Sequence, residues 1–183
     1  MSSIILNGDT SGSVTVTVPA VAGTNSVTLP AAAGTVMVSG NMPAFSAYQS
    51  SAQSISNSTS TKIQFQTKEF DTANCFDNTT NYRFTPTVAG YYQVSAAMLI
   101  SSPTGFADGR YALLSIYKNG TEFKRLNMPN TDVYSVGGSA LVYFNGSTDY
   151  VEMYTNFNAA SSPTNLAAGN YATYFQAVMV RAA

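Results

Sequence analysis

The sequence predicts an all-β, two-sheet sandwich or barrel (residues 41–183) behind an extended, β-rich N-terminal arm (residues 1–40). Three observations carry this. Apolar residues alternate with period two in Tyr92, Val94, Ala96, Met98, Ile100, in Val151, Met153, Thr155, Phe157, and in Phe175, Ala177, Met179. That period places one side of each strand in a core. Turn pairs punctuate the runs: Ser102-Pro103, Asn119-Gly120, Gly137-Gly138, Asn145-Gly146 and Ser162-Pro163. Such spacing suits many short strands. No stretch combines a helical period with capping residues.

The arm comes first. Residues 1–40 hold no aromatic residue and one charge, Asp9. Within them VTVPAVAGT (Val16 to Thr24) and VTLPAAAGT (Val27 to Thr35) agree at seven of nine positions, offset by eleven. Each unit reads as a short strand stopped by proline and followed by a small-residue turn. Units so poor in large apolar groups cannot offset the entropy of ordering themselves, so the arm is expected to lie on something else. Val16, Val18, Pro19, Val27, Leu29 and Pro30 are its candidate anchoring residues.

The head opens with PAFSAY (Pro43 to Tyr48). In NYRFTPTVAGYYQVSAAM (Asn81 to Met98), Pro86 ends a strand, Ala89-Gly90 turns the chain with Gly90 free to take a positive φ, and a long strand follows. Alternation sends Tyr91 and Tyr92 to opposite faces. SIYKNG (Ser115 to Gly120) reads as a strand running into an Asn-Gly hairpin, and YFQAVMV (Tyr174 to Val180) as the last strand.

Over residues 43 to 181 these pieces, in this order, resemble the globular head of the complement first component, subunit q, and its relatives in the tumour-necrosis-factor superfamily. The resemblance rests on Phe45, Gly90, Tyr92, Asn119, Gly120 and Phe175. It implies a ten-strand jelly roll and a homotrimer in which one sheet packs on neighbouring copies. Ala140 to Asp149 is a loose counterpart of the family's leucine-rich strand, with the usual Gly-Asp turn lengthened from Gly146 to Asp149. The arm repeats resemble the Val-Thr-Leu-Pro-Ala-Gly-Thr segments of tailed-bacteriophage virion proteins.

Composition narrows the chemistry. With no histidine, Ser-His-Asp triads, Cys-His dyads and histidine-ligated metals are excluded within the chain. Cys75 is the single cysteine, so no internal disulfide forms, and an inert buried thiol is expected. Charged residues make up 9% and net charge is −1, which gives no footprint for nucleic acid or an anionic membrane. MSSIILNGDT lacks a basic n-region and an apolar h-region, so we read no signal peptide and expect assembly in a host cytoplasm. The sequons at Asn57, Asn78, Asn119 and Asn145 then carry no glycan. No membrane insertion is expected.

Few constellations remain. Asp71, Asn74, Asp77 and Asn78 could hold Ca²⁺, but the spacing fits no EF-hand, and a turn built on Asx hydrogen bonds is the competing reading. No other cofactor is expected. The carboxylate pairs Asp71/Asp77 and Asp149/Glu152 lack any mark of a catalytic cleft, and Glu152 alternates onto the outer strand face. No catalytic residue is assigned and no enzyme is expected. Lys118, Lys124 and Arg125 read as a solvated hairpin. Twelve Tyr and ten Phe exceed what one core must bury. Tyr91, Tyr117, Tyr150 and Tyr154 are therefore candidate trimer-interface residues.

The expected role is a bacteriophage virion structural protein: a trimeric capsid decoration or head-fibre protein docked to capsid or tail proteins through its arm. The alternatives are a tail-fibre tip or adaptor binding host glycan or receptor, and a soluble lectin-like or cytokine-like module. Candidate distal loops are Ser101 to Arg110, Asn127 to Tyr134 and Asn158 to Asn170.

Overall fold

The structure is a computed structural model that describes residues 3–28, 31, 33–34, 36–101, 111–130, 134–158 and 164–183. The chain divides into two compact units, with the boundary after Gly34.

In the first unit, β1 (Ser3–Asn7) and β2 (Ser13–Thr17) form an antiparallel hairpin with Ser3 opposite Thr17. Gly12 takes φ +77° in its turn. The repeat reading needs correction here. β2 ends at Thr17, before Pro19, and Val27 and Thr28 of the second repeat form no strand. A lone two-stranded hairpin makes little core of its own, and among the described residues of this unit Ile4, Ile5, Leu6, Val14, Val16, Val18 and Val27 are exposed. Leu29 and Pro30 lie outside the described residues.

The second unit begins with a 3₁₀ turn (Ser39–Asn41). The strands follow as β3 (Ala44–Tyr48), β4 (Gln53–Ile55), β5 (Thr61–Lys62), β6 (Thr67–Asp71), β7 (Phe76–Asp77), β8 (Arg83–Phe84), β9 (Gly90–Leu99), β10 (Tyr111–Lys118), β11 (Thr121–Asn127), β12 (Ser135–Phe144), β13 (Val151–Asn158), β14 (Thr164–Leu166) and β15 (Tyr174–Ala182). Sheet one runs β12-β9-β15-β3-β6. Sheet two runs β11-β10-β13-β8-β7, with β5 also on β13, and β4 pairs with β14. Every one of these strand pairings is antiparallel. This is the all-β jelly-roll sandwich expected. The strand number passes ten because β5, β7 and β8 are two-residue pieces. Among the described residues there is no α-helix.

The core lies between the sheets. Tyr92, Val94, Ala96 and Met98 of β9 are buried, as are Val151, Met153 and Phe157 of β13 and Phe175, Ala177 and Met179 of β15. At its centre Phe45 stacks on Phe76 and Phe84 (ring centroids 4.6 Å each) and meets Phe175 edge-on at 4.8 Å. Tyr92 adds its ring to Phe84 and Phe144 and donates its hydroxyl to the Val88 carbonyl at 2.8 Å.

Two glycine readings change. Gly90 does not take a positive φ. It opens β9 where a Cβ would run into the Arg181 carbonyl oxygen and lie 2.7 Å from Met179 Cε on the neighbouring β15. The residue is glycine for close strand approach. Gly90→Ala is expected to cost about 1–3 kcal/mol through backbone displacement, read as a lowered melting temperature. An unchanged midpoint would contradict this contact. Gly137-Gly138 is not a turn but lies inside β12, where Gly138 lets Leu126 of β11 approach. The hairpin at Asn119-Gly120 is as expected, with φ +53° and +81°, the primed turn that matches strand twist.

Candidate functional site

The most distinctive surface is the outer face of sheet one. Register builds it in rows across five strands. Ala44, Val178, Gln93 and Leu141 are successive partners across β3, β15, β9 and β12. Phe70, Ser46, Gln176, Ser95 and Ser139 form the next row, starting from β6. Tyr91 faces Tyr143, with ring centroids 5.4 Å apart. Five large apolar side chains here stand exposed: Phe70 (51%), Leu141 (50%), Val178 (46%), Tyr143 (42%) and Tyr91 (40%). The first two rows contain no charged residue, although Ser46 donates its hydroxyl to Glu69 of β6 at 2.7 Å, and the third continues from Tyr143 and Tyr91 to Arg181 of β15. Lys68, Glu69, Asp71 and Arg181 stand at the margins, on the edge strand β6 and near the end of β15. A groove of about 320 Å³ runs over Phe70, Gln93, Ser95, Gln176 and Val178. An aromatic and aliphatic face free of charge at its centre has the composition of an interface core.

The outer face of sheet two is the opposite in character. Glu152 forms an ion pair with Lys62 (Nζ to Oε1, 2.6 Å), and the same ammonium donates to the Asn81 carbonyl. Glu152 is therefore buried, not solvent-facing as alternation suggested. Tyr117 stacks on Tyr154 at 4.0 Å, and the Arg83 guanidinium lies 4.4 Å from the Tyr150 ring centroid. Burial, followed by the charge of Glu152, pushes the Tyr154 phenol above its ordinary range. Of the four tyrosines singled out from sequence, only Tyr91 lies on the uncharged face. Tyr117, Tyr150 and Tyr154 already have partners within the protomer.

The acidic loop is knitted by its own backbone. Asp71 accepts N–H groups from Cys75 and Phe76 and an ammonium hydrogen from Lys68. Burial alone would raise its carboxyl, but these donors hold it below the usual range. Asp77 accepts from the N–H groups of Thr79, Thr80 and Asn81 and from both neighbouring side chains, and lies further below. Asn74 Oδ1 takes the Lys68 ammonium at 3.3 Å. A cation would have to displace these donors. Among the described residues no three Asp, Glu, His or Cys side chains are grouped to hold a metal. Cys75 is buried, with its thiol 3.4 Å from the Ala73 carbonyl.

A stability consequence follows. A carboxylate with a depressed folded pKa contributes stability above its unfolded pKa and loses it as pH falls towards the folded value. The protein is expected to keep its midpoint from pH 7 to pH 5 and to lose stability below about pH 4. Asp77→Ala removes the shared acceptor and should cost about 1–3 kcal/mol at neutral pH. It should also flatten the acid limb of a melting-temperature profile. An unaltered profile would contradict the role given to Asp77.

Asp149 accepts from Asn119 Nδ2 (2.8 Å), Lys118 Nζ (2.9 Å) and the Asn145 N–H (3.0 Å). Its burial penalty is outweighed by these bonds, so its carboxyl too is lowered. The lengthened Gly146–Asp149 turn thus ties the Asn119-Gly120 hairpin to β13. Asp71, Asp77 and Asp149 are all biased to the ionised form, the reverse of a general acid. In the basic cluster Lys118 is engaged by Asp149, Arg125 pairs with Glu122, and Lys124 lies over Phe123. Residues 102–110, 131–133 and 159–163 of the candidate distal loops lie outside the described residues.

Sequence reasoning passed over Phe70, Leu141 and Tyr143. The alternation of Leu141 and Tyr143 against buried Val142 and Phe144 was the available signal.

No protein-family model and no curated protein matches the chain. Solved structures do. Murine APRIL is 14% identical with a TM-score of 0.54, over 76% of this chain and 99% of that one. The globular domain of zebrafish complement 1qA protein is 18% identical with a TM-score of 0.53, over 77% and 98%. Eiger TNF from S. frugiperda is 9% identical with a TM-score of 0.52, over 78% and 93%. The chain has the complement/tumour-necrosis-factor-type jelly-roll fold.

Proposed function

We propose that this protein is a non-enzymatic structural component of a bacteriophage virion, a homotrimer of jelly-roll heads carried on an arm that docks to the particle. The observation that carries the reading is the outer face of sheet one, apolar and uncharged at its centre with charges only at its margins. Its exposed Tyr91, Tyr143, Leu141, Val178 and Phe70 suit burial against identical copies. In the family resembled, this kind of sheet face meets its neighbours about a threefold axis.

The arm supports the virion context. Its hairpin exposes nearly every apolar side chain it has, as a segment made to lie on another surface would. Its repeats resemble phage virion segments. Of the two virion roles we favour a capsid decoration or head-fibre protein, assembled in the host cytoplasm, over a tail-fibre tip contacting host glycan. Removing residues 1–40 tests this. The truncated head should still fold and trimerise, but should no longer co-sediment with particles. Truncated trimers that still associate would refute anchoring by the arm. In intact particles, hundreds of copies mean capsid, and small multiples of three or six mean tail. A free-standing binding module is the second reading, favoured by the fold shared with the complement domain and the insect TNF. It requires the full chain to act without any particle.

A further inference from the structure

A second surface lies at the sandwich edge, where the chain crosses from β6 of sheet one to β7 of sheet two. Lys68, Asn74, Asp77, Asn78, Arg83 and Thr85 line a polar cleft of about 390 Å³ there. Its charges are unequally committed. Lys68 is neutralised by Asp71 at 2.9 Å, and the Asp77 oxygens are filled by the five donors of the 79–81 turn. Arg83 forms no ion pair among the described residues: of its cross-strand neighbours, Asp77 is taken up by the 79–81 turn and Glu152 by Lys62. Its guanidinium is instead set in place over the Tyr150 ring at 4.4 Å. A planar cation fixed by an aromatic face keeps its N–H fork free for a bidentate anion.

Other groups in the cleft are also uncommitted among the described residues. Asn74 uses Oδ1 for Lys68 and leaves its amide N–H₂. Asn78 uses Nδ2 for the Gln66 carbonyl and leaves Oδ1. Thr85 donates its backbone N–H to the Cys75 carbonyl and keeps its hydroxyl. One unpaired guanidinium is thus surrounded by both donors and acceptors. The Asp77 carboxylate on the same wall disfavours a polyanion such as phosphate. From this arrangement we infer that the cleft binds a singly charged, hydroxyl-rich ligand, an acidic sugar, with its carboxylate on Arg83 and its hydroxyls on Asn74, Asn78 and Thr85.

The test uses the full chain with galacturonate, its neutral counterpart galactose, and acetate, followed by NMR titration. Galacturonate is expected to bind in the millimolar range and to shift the Arg83 Nε–H resonance. Galactose and acetate should each bind at least ten-fold more weakly. Arg83→Lys keeps the charge but loses the fork, and should weaken galacturonate at least ten-fold while leaving the melting temperature near wild type. Equal binding of galacturonate and galactose, acetate binding as tightly as galacturonate, or an Arg83 resonance unmoved by galacturonate would each overturn the assignment. The resonance readout in the unmutated protein holds even if the variant folds poorly.

Discussion

Replacing Leu141 and Val178 together by glutamate should leave the head folded and convert it to monomers. Both side chains are about half exposed in the single chain, so the fold has little to lose, within about 0.5 kcal/mol per site. They are successive neighbours of Gln93 in one row of the sheet-one face, and that row contains no cation able to pair with a new carboxylate. Association would bury charges against an uncharged surface, a cost of several kcal/mol. A penalty of about 4 kcal/mol raises the dissociation constant about a thousandfold. Sedimentation velocity reads the mass and circular dichroism confirms the fold. A folded double variant that keeps the wild-type mass would show that this face is not the contact.

Phe45→Ala should be the most damaging single change inside the head. The ring is fully buried and touches Phe76, Phe84 and Phe175, so it joins the first strand of sheet one to both short strands at the edge of sheet two. Truncating a buried phenylalanine costs about 3–5 kcal/mol, from lost transfer energy and the cavity left behind. Against a typical domain stability of about 5–15 kcal/mol, that is a large share. At about 2–4 °C per kcal/mol for a domain of this size, the melting temperature should fall by roughly 6–20 °C. Phe123→Ala is the control: its ring is exposed on β11 of sheet two, away from the sheet-one face, and should cost under about 1 kcal/mol. Comparable losses for the two would mean that the core is not centred on Phe45.

Local pattern revealed what depends on local pattern. Strand periodicity separated Tyr91 from Tyr92 and picked the buried sides of β13 and β15, because a core face imposes period two on the residues that meet it. Asn119-Gly120 was legible because both residues must take positive φ, which few residue types tolerate. Long-range pairings were not legible. Glu152 looks solvent-facing by alternation, yet it is buried and paired with the half-buried Lys62, ninety positions away. Gly90 and Gly138 resemble turn glycines, but what requires them is the approach of β15 and β11. The candidate interface was hidden for the same reason. Its rows take residues from β3, β6, β9, β12 and β15, and only strand order and register bring them to one surface. Of the four tyrosines chosen for that interface, Tyr117 and Tyr154 belong to the opposite sheet and Tyr150 just precedes β13, since abundance of tyrosine carries no information about which sheet receives it.

Self-association through the outer face of sheet one is the property on which the proposed role rests. Sedimentation equilibrium of the unmodified protein at micromolar concentration tests it directly. The predicted result is a single species at three times the 19.3 kDa chain mass. A species at the mass of one chain would contradict it.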